Sequence, residues 1–204
     1  MNRKSRKTPA KSSAKSKSPG SVRIISGRWR GMKLPVLDAA GLRPTTDRVK
    51  ETVFNWLMHD LVDAQCLDCF AGSGSLGFEA LSRYARHITL IEKDKSAARQ
   101  LSDNAKRLSS DTIDVINADS LNWLAQPATI QFDLIFIDPP FRMGLAEQTI
   151  TLLDQHGWLA NDARVYIEVE TELTQLDLPA SWSLLKEKTA GQATGRLYAV
   201  TRQN

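Results

Sequence analysis

The chain has 204 residues, of which 42% are hydrophobic, and this is enough for one domain with a substantial core. The sequence contains no run of 18 apolar residues, so it predicts no membrane span. Its first residues also lack the apolar segment of a secretory signal, and we therefore expect a cytosolic protein. Residues 1–37 carry eleven basic side chains and no acidic one, whereas the rest of the chain carries 16 basic and 23 acidic side chains. A cationic N-terminal segment on an acidic body indicates a polyanionic partner, most simply a phosphate backbone, although a solvated tail is an equal alternative for residues 1–20.

The N-terminal quarter of the chain divides into a tail, a hairpin, a loop and a helix. Residues 1–20 are rich in Lys, Ser, Pro and Ala, and we predict that they are disordered because they have little to bury. Val22–Ser26 and Met32–Val36 flank a connection bounded by glycines, which predicts a β-hairpin. Residues 42–46 are predicted to form a loop, and apolar residues at steps of three to four predict a helix within residues 47–64.

From residue 65 onward, apolar strands and helices alternate. The predicted strands are Cys66–Phe70, Ile88–Glu92, Ile113–Asn117, Leu134–Asp138 and Val165–Val169. The predicted helices are Leu76–Tyr84, Lys95–Leu108, Leu121–Leu124 and Leu145–His156. This alternation predicts an α/β fold with a parallel, doubly wound sheet covered on both faces. Trp182–Lys188 and Leu197–Thr201 have no helix between them, so we expect two antiparallel strands at the edge of the sheet.

The two cysteines, Cys66 and Cys69, have the C-x-x-C spacing of some zinc and redox sites. Within a strand, however, a separation of three places the two thiols on opposite faces. The histidines His59, His87 and His156 are scattered without the spacing of metal ligands. We therefore predict no metal site.

A glycine loop, Gly72-x-Gly74-x-x-Gly77, follows one predicted strand and precedes a predicted helix. Glycines let the backbone turn sharply and approach a ligand closely. Glu92, twenty residues after Gly72, ends the next predicted strand, where a carboxylate can accept hydrogen bonds from both ribose hydroxyls. This layout serves NAD as well as S-adenosylmethionine, so the loop alone leaves both cofactors open.

Two further carboxylates favour S-adenosylmethionine. Asp68 precedes the loop by four residues, where it can meet the amino-acid end of the cofactor, and Asp119 follows the third strand, where it can accept a hydrogen bond from the adenine amino group. All of these positions lie at the carboxyl ends of strands, where ligands bind in open α/β sheets. The residues predicted to bind the cofactor are Asp68, Phe70, Gly72, Ser73, Gly74, Glu92, Lys93, Asp119 and Ser120.

The sequence Asp138-Pro139-Pro140-Phe141 follows the fourth predicted strand and faces the glycine loop. An exocyclic amine on a base is a poor nucleophile because its lone pair is delocalised. A carboxylate that accepts one N–H, and a carbonyl of the rigid proline pair that accepts the other, would direct the lone pair at a methyl donor. Phe141 can stack on the base, worth roughly 1–3 kcal/mol. We therefore predict these four residues to be catalytic; a plain turn at the end of a strand is the alternative.

These motifs resemble those of class I S-adenosylmethionine-dependent methyltransferases that act on exocyclic amines. Residues 22–34, 42–57 and 68–80 are similar, more narrowly, to the bacterial 16S rRNA guanine-N2 methyltransferases of the RsmD family, and the resemblance covers about residues 21–204. It implies a Rossmann-like fold with a seven-stranded, mostly parallel sheet, antiparallel final strands and an N-terminal hairpin. It also implies S-adenosylmethionine as cofactor, S-adenosylhomocysteine as product, and a flipped-out guanine as substrate.

The same resemblance implies how the substrate is held. The partner would be 16S rRNA in the small ribosomal subunit or its assembly intermediate. Independently of the resemblance, we expect no membrane partner, and we expect a monomer because a folded RNA particle can supply the missing surface. A single methyltransferase domain would span residues 21–204, with an RNA-binding hairpin and loop at 21–46 and the catalytic core at 65–204. Arg28, Trp29 and Arg30 of the hairpin would bind the RNA, and Arg43, Thr45 and Thr46 would line the active-site mouth that receives it. Interleaved Arg and Trp suit phosphate contact and stacking, although an amphipathic hairpin that covers the first helix would look similar.

Three other functions share part of this pattern. A DNA methyltransferase acting on adenine N6 would use the same chemistry. A nicotinamide-dependent dehydrogenase would use the same glycine loop, but the sequence shows no base or tyrosine–lysine pair that could serve hydride transfer. A non-catalytic rRNA-binding assembly factor would explain the basic segment, but it gives no reason for an intact Asp-Pro-Pro-Phe sequence.

Overall fold

The protein is described by a computed structural model that covers residues 20–37 and 47–201. The predicted disordered tail and the expected RNA contacts Arg43, Thr45 and Thr46 lie outside these described residues. In chain order the elements are β1 Ser21–Arg23, β2 Lys33–Pro35, α1 Asp47–Trp56, β3 Gln65–Asp68, α2 Ser75–Ser82, β4 His87–Glu92, α3 Lys95–Arg107, β5 Ile113–Asn117, α4 Ser120–Leu124, β6 Phe132–Ile137, α5 Leu145–Gln155, β7 Leu159–Glu170, β8 Trp182–Ala190 and β9 Ala193–Val200. In these two ranges, every helix is too short or too polar to cross a membrane.

The central sheet has seven strands in the order β5-β4-β3-β6-β7-β9-β8. The first five strands run parallel, and β9 pairs antiparallel with both β7 and β8. This confirms the predicted mostly parallel sheet with antiparallel final strands. The strand order reverses between β3 and β6, so the chain segments that follow these two strands run in opposite directions. They leave a crevice between them at the carboxyl ends of the strands.

The two faces of the sheet carry separate apolar clusters, as a parallel sheet covered on both sides requires. Cys66 packs with Phe136 on the face that also receives α1 and α2. Cys69 packs with Ile137 on the face that receives α5. The two thiols are buried and unlinked, and they lie on opposite faces as the strand periodicity predicts. Residues 20–37 and 47–201 contain no group of three or more metal-ligating side chains that could hold an ion.

Helix α1 is shorter than the apolar spacing predicts. It ends at Trp56, although Leu57 and Leu61 beyond it are still buried in the core. A turn replaces the helix, since the Asp60 amide donates to the Leu57 carbonyl at 2.9 Å and Asp63 adopts a left-handed conformation with φ 61°. Apolar side chains in a turn can face the same core as those in a helix. The spacing of the apolar residues therefore predicted a helix that was too long.

The N-terminal hairpin of β1 and β2 docks on the C-terminal end of α2. The buried carboxylate of Glu79 accepts hydrogen bonds from the amides of Ile25 at 2.8 Å and Ser26 at 3.1 Å. Ser82 completes the contact, because its hydroxyl donates to the Ser26 carbonyl at 2.6 Å and its own carbonyl accepts from the Arg28 amide at 2.7 Å. The hairpin is therefore held by a fixed set of buried hydrogen bonds as well as by apolar packing.

This docking makes Gly27 a sensitive position. Gly27 has φ 78°, and a Cβ there would lie 1.8 Å from the Ser82 carbonyl oxygen. We expect Gly27→Ala to detach the hairpin from α2, because the rigid backbone atom cannot move aside. Hydrogen exchange at residues 25–30 should accelerate, while exchange in β3 and β4 stays unchanged.

Gly31→Ala is the matched control for that substitution. Gly31 also has positive φ, 87°, but a Cβ there meets nothing within 4 Å. Alanine at this position therefore costs only the energy of a left-handed conformation, about 1–2 kcal/mol, and makes no steric clash. Equal exchange rates at residues 25–30 in the two variants would contradict the docking.

Candidate active site

Three carboxylates lie in a row at the carboxyl end of the central sheet. Asp68 ends β3, Asp138 follows β6, and Glu168 lies in β7. Each comes two residues after a residue of the same apolar cluster, and so projects from the same face of the sheet. Those preceding residues are Cys66, Phe136 and Tyr166. Since β3, β6 and β7 are neighbours in the sheet, the row crosses the crevice where the strand order reverses.

Asp68 is buried and incompletely hydrogen-bonded. The backbone amides of Phe70 and Gly77 donate to its carboxylate, but the Oδ1 atom has no protein partner. Burial raises the pKa of Asp68 to about 7, and the charge of Glu92 adds to the increase. A buried acceptor without a partner costs about 1–3 kcal/mol, so this oxygen indicates a ligand that supplies a donor.

The glycine loop is fixed by Glu92. The Gly72 amide donates to Oε2 of Glu92 at 2.8 Å, and the Asp94 amide donates to Oε1 at 2.7 Å. Gly72 and Gly74 both have positive φ, 50° and 76°. A Cβ on Gly77 would lie 2.3 Å from Cδ2 of Leu90, so this third glycine lets α2 pack closely on β4.

Three more predicted cofactor residues, Lys93, Asp119 and Ser120, follow strands β4 and β5. Lys93 and Asp119 form an ion pair with Nζ and Oδ2 3.0 Å apart. Asp119 also caps α4 by accepting from the Asn122 amide at 3.2 Å, and the hydrogen bond from Lys93 lowers the pKa of its carboxyl group. The Ser120 hydroxyl is buried and donates to the Cys69 carbonyl, so it joins α4 to the end of β3.

The remaining predicted cofactor residues are Phe70 and Ser73. Phe70 is half-buried and packs against the apolar cluster on the α5 face of the sheet. Gly72 and Ser73 line a small cleft with Val36 and Leu37, which follow β2. The hairpin thus reaches the glycine loop, a contact that no local sequence pattern indicated.

Asp138 is half-buried at the end of β6, close to the carboxylates of Asp68 and Glu168. Burial raises the pKa of Asp138 well above its ordinary value, and the negative charges of Glu168 and Asp68 raise it further. A carboxylate held among other acids is costly to ionise and therefore gains most from a partner that supplies N–H donors. Strongly perturbed acids in a crevice are typical of functional sites.

The segment after Asp138 is held rigidly. Pro139 is buried, Pro140 is exposed and Phe141 is half-buried. Arg142 follows in a left-handed conformation with φ 63°, and its amide donates to Oε1 of Glu170 at 3.1 Å. The prolines fix φ and β7 fixes the far end, so the carbonyl groups of this segment have set directions.

Two polar residues of β7 were not predicted to belong to the site. The Tyr166 hydroxyl donates to Oε2 of Glu168 at 2.9 Å. Gly195 in β9 packs on Tyr166, since a Cβ there would lie 2.5 Å from the hydroxyl oxygen. One indication of these residues was present in the sequence, namely that glutamates alternate with apolar residues at the end of β7.

A cavity of about 350 Å³ begins at Glu168 and extends between α1 and strands β7 to β9. Its lining includes Arg48, Val53, Trp56, Tyr166, Glu168 and Lys188. Trp56 is half-buried, while Arg48 and Lys188 are exposed. The cavity therefore combines one acid, Glu168, with an aromatic wall and a basic rim.

The predicted RNA-binding residues of the hairpin differ in their surroundings. Arg28 and Arg30 are exposed, but Trp29 is half-buried and packs against the apolar core. The Arg28 guanidinium carbon lies 5.1 Å from the centroid of the Trp29 ring. Trp29 thus contributes to the packing of the hairpin, and the two arginines present their charges to solvent.

Comparisons with known proteins agree with this architecture. Residues 22–199 match the family model described as "Conserved hypothetical protein 95". Ribosomal RNA small subunit methyltransferase D of Escherichia coli strain K12 is 56% identical over 179 residues, which cover 88% of this chain and 90% of that protein. The Haemophilus influenzae protein of the same name is 55% identical over 182 residues, covering 88% and 94% of the two chains.

A solved structure gives the same result. The yhhF protein of Escherichia coli superposes with a TM-score of 0.85 at 52% identity, over 90% of this chain and all of that one. The chain is therefore a methyltransferase with a Rossmann-like fold. It belongs to the RsmD family of ribosomal RNA small subunit methyltransferases.

Proposed function

We propose that the protein transfers a methyl group from S-adenosylmethionine to the exocyclic N2 of a specific guanine in 16S rRNA, presented on a small-subunit particle. The observation that carries the proposal is the position of Asp138. Asp138 is half-buried, it lies beside Asp68, which precedes the glycine loop, and a rigid Pro139-Pro140 pair follows it. An acceptor for an amine beside the residues proposed to bind the cofactor supports this function.

The residues present fit S-adenosylmethionine. Glu92 would accept hydrogen bonds from the ribose hydroxyls, because each of its carboxylate oxygens binds one loop amide and keeps a further lone pair. Asp68 would accept from the ammonium group of the cofactor through the buried Oδ1 that lacks a protein donor. Asp119 would accept from the adenine amino group. When bound, the cofactor supplies an electrophilic methyl group on a positively charged sulfur.

The chain's own residues would then activate the amine. Asp138 accepts one N–H and a carbonyl of the Pro139-Pro140 segment accepts the other, so the nitrogen lone pair is directed out of the plane of the base. Because the loop is already rigid, these acceptors need no ordering at the moment of reaction. As the new N–C bond forms and the S–CH3 bond breaks to leave S-adenosylhomocysteine, the nitrogen would become acidic and its proton would pass to the Asp138 carboxylate. The negative site stabilises the charge that develops.

The choice of rRNA rests on the relatives and on charge. Two relatives more than 50% identical are named ribosomal RNA small subunit methyltransferases. Arg28 and Arg30 are exposed in the part of the hairpin that docks on the C-terminal end of α2, where they can contact phosphates. No observation in the described residues specifically favours DNA, nicotinamide chemistry or a non-catalytic role.

Methyl mapping tests this function. Small-subunit particles from a strain that lacks the enzyme, incubated with the protein and labelled S-adenosylmethionine, should incorporate label into 16S rRNA. Digestion and mass spectrometry should identify the product as N2-methylguanosine at a single position. A methyladenine product, or label in DNA but not in rRNA, would overturn the proposal.

A further inference from the structure

The cavity beside Glu168 has the surfaces that a nucleotide requires. Trp56 and Val53 give it an apolar and aromatic wall from α1, against which a base can stack. Arg48 and Lys188 stand at its exposed rim, where they can contact phosphates. Inside it, the Glu168 carboxylate is oriented by the Tyr166 hydroxyl, which donates to its Oε2 atom at 2.9 Å. Apolar walls with a few fixed polar groups are typical of small-molecule sites.

Glu168 lies directly beside the Asp138 carboxylate. Ile137 and Ile167 are register partners in the parallel pair of β6 and β7, so the residues that follow them are also neighbours. Adjacent strands are about 4.8 Å apart, and both side chains project toward the α1 face. The two acids interact strongly enough that the charge of Glu168 disfavours ionisation of Asp138.

Two adjacent carboxylates suit one particular base edge. The Watson–Crick edge of guanine presents N1–H and the N2 amino group side by side as donors, and carboxylates are acceptors. On the corresponding edge of adenine, N1 is an acceptor and would face a carboxylate unfavourably. A base whose N2 meets Asp138 would bring its N1 toward the next strand, where Glu168 lies.

We propose that Glu168 accepts the N1–H of the target guanine and thereby determines which base is methylated. This inference rests on the proposed function and adds a specificity residue to it. Tyr166 holds the Glu168 carboxylate in position, and Gly195 leaves the space for the Tyr166 hydroxyl. The cavity receives the base, with Trp56 beside its ring.

The base 2-aminopurine provides a test that needs no altered protein. It carries the same exocyclic amine at C2 as guanine, but its N1 is an acceptor without hydrogen. Small-subunit particles would be reconstituted with guanine or 2-aminopurine at the mapped position. We expect the unaltered protein to prefer guanine in kcat/KM by on the order of 10-fold to 100-fold, the discrimination of one base-edge pairing. Equal rates on the two bases would overturn the role of Glu168.

Glu168→Gln adds a change of specificity that simple structural damage would not produce. The glutamine amide can rotate to donate to N1 of 2-aminopurine, so the preference for guanine should fall by at least about 10-fold. Glu172→Gln, which alters an exposed carboxylate paired with Arg142, is the control and should keep the preference. Tyr166→Phe should lower the rate while guanine stays preferred, because the carboxylate remains.

The possible failures are distinguishable. If the protein transfers no methyl group to guanine in the reconstituted particle, the proposed function is wrong and the inference falls with it. If guanine is methylated but Glu168→Gln slows both bases by the same factor, only the role of Glu168 is overturned. Melting temperature and S-adenosylhomocysteine binding identify variants that are not folded, and the result with the unaltered protein then decides.

Discussion

Replacing Asp138 by alanine should lower the rate of methyl transfer by about 10²–10³-fold, the effect of removing one fixed hydrogen-bonding group that stabilises a transition state. The loss should appear in kcat measured by single-turnover kinetics on small-subunit particles. Binding of S-adenosylmethionine, measured by calorimetry, should persist, because the cofactor contacts assigned to Glu92 and Asp68 remain. Asp138→Asn should lose less activity, since its amide oxygen can still accept one N–H.

A matched control separates this effect from a general loss of acidic charge. Asp114 is an exposed acid in β5, the edge strand of the sheet. Its Oδ2 atom lies 3.4 Å from Nε2 of His87. Asp114→Ala should leave kcat unchanged. Substantial methyl transfer by Asp138→Ala would show that the carboxylate does not orient the amine, and the mechanism would have to be abandoned.

The sequence indicated the proposed catalytic segment because its signal is local. Asp138 and the two prolines are consecutive, and they follow an apolar strand at the position where ligands bind in such sheets. Gly72 and Glu92 are also recognisable, because one β–α–β unit sets the number of residues between them. The opposite orientations of Cys66 and Cys69 followed in the same way from the alternation of side chains along a strand.

Glu168 was not predicted because its proposed role depends on which strands are neighbours. It lies among buried apolar residues of β7, and 30 positions separate it from Asp138 in the sequence. Only the pairing of β6 with β7 brings the two acids together. Glu79 was missed for a similar reason, since a glutamate in a helix is ordinary until the hairpin amides of Ile25 and Ser26 are found against it.

The end of α1 could not be predicted because periodicity reports which residues are buried and not the hydrogen bonds of the backbone. Leu57 and Leu61 continue the apolar spacing of the helix and are buried as it requires. The chain nevertheless turns after Trp56, so that β3 can enter the centre of the sheet. Whether a buried segment is a helix or a turn was decided by the packing of distant elements.

Replacing Glu92 by alanine should weaken the binding of S-adenosylmethionine by about 100-fold or more. Two hydrogen bonds from ribose hydroxyls to a charged group contribute about 1.5–3 kcal/mol each, and every 1.4 kcal/mol is a factor of ten in affinity. The substitution also removes the acceptors that hold the amides of Gly72 and Asp94. Calorimetry with S-adenosylmethionine and with S-adenosylhomocysteine should show the same loss, because the two ligands share the ribose.

Asp94→Ala is the control for Glu92→Ala, because it alters a neighbouring acid with a purely structural contact. Asp94 caps α3 by accepting from the Ala97 amide at 2.8 Å, and losing such a cap costs about 1 kcal/mol of stability. The affinity of the Asp94→Ala variant for the cofactor should change little. An equal loss of cofactor affinity in both variants would show that Glu92 acts only through the loop. At saturating cofactor, Glu92→Ala should recover most of its kcat, whereas Asp138→Ala should not. Opposite responses of this kind would locate methyl-donor binding at β4 and amine activation at β6, on two sides of the crevice that the reversed strand order creates.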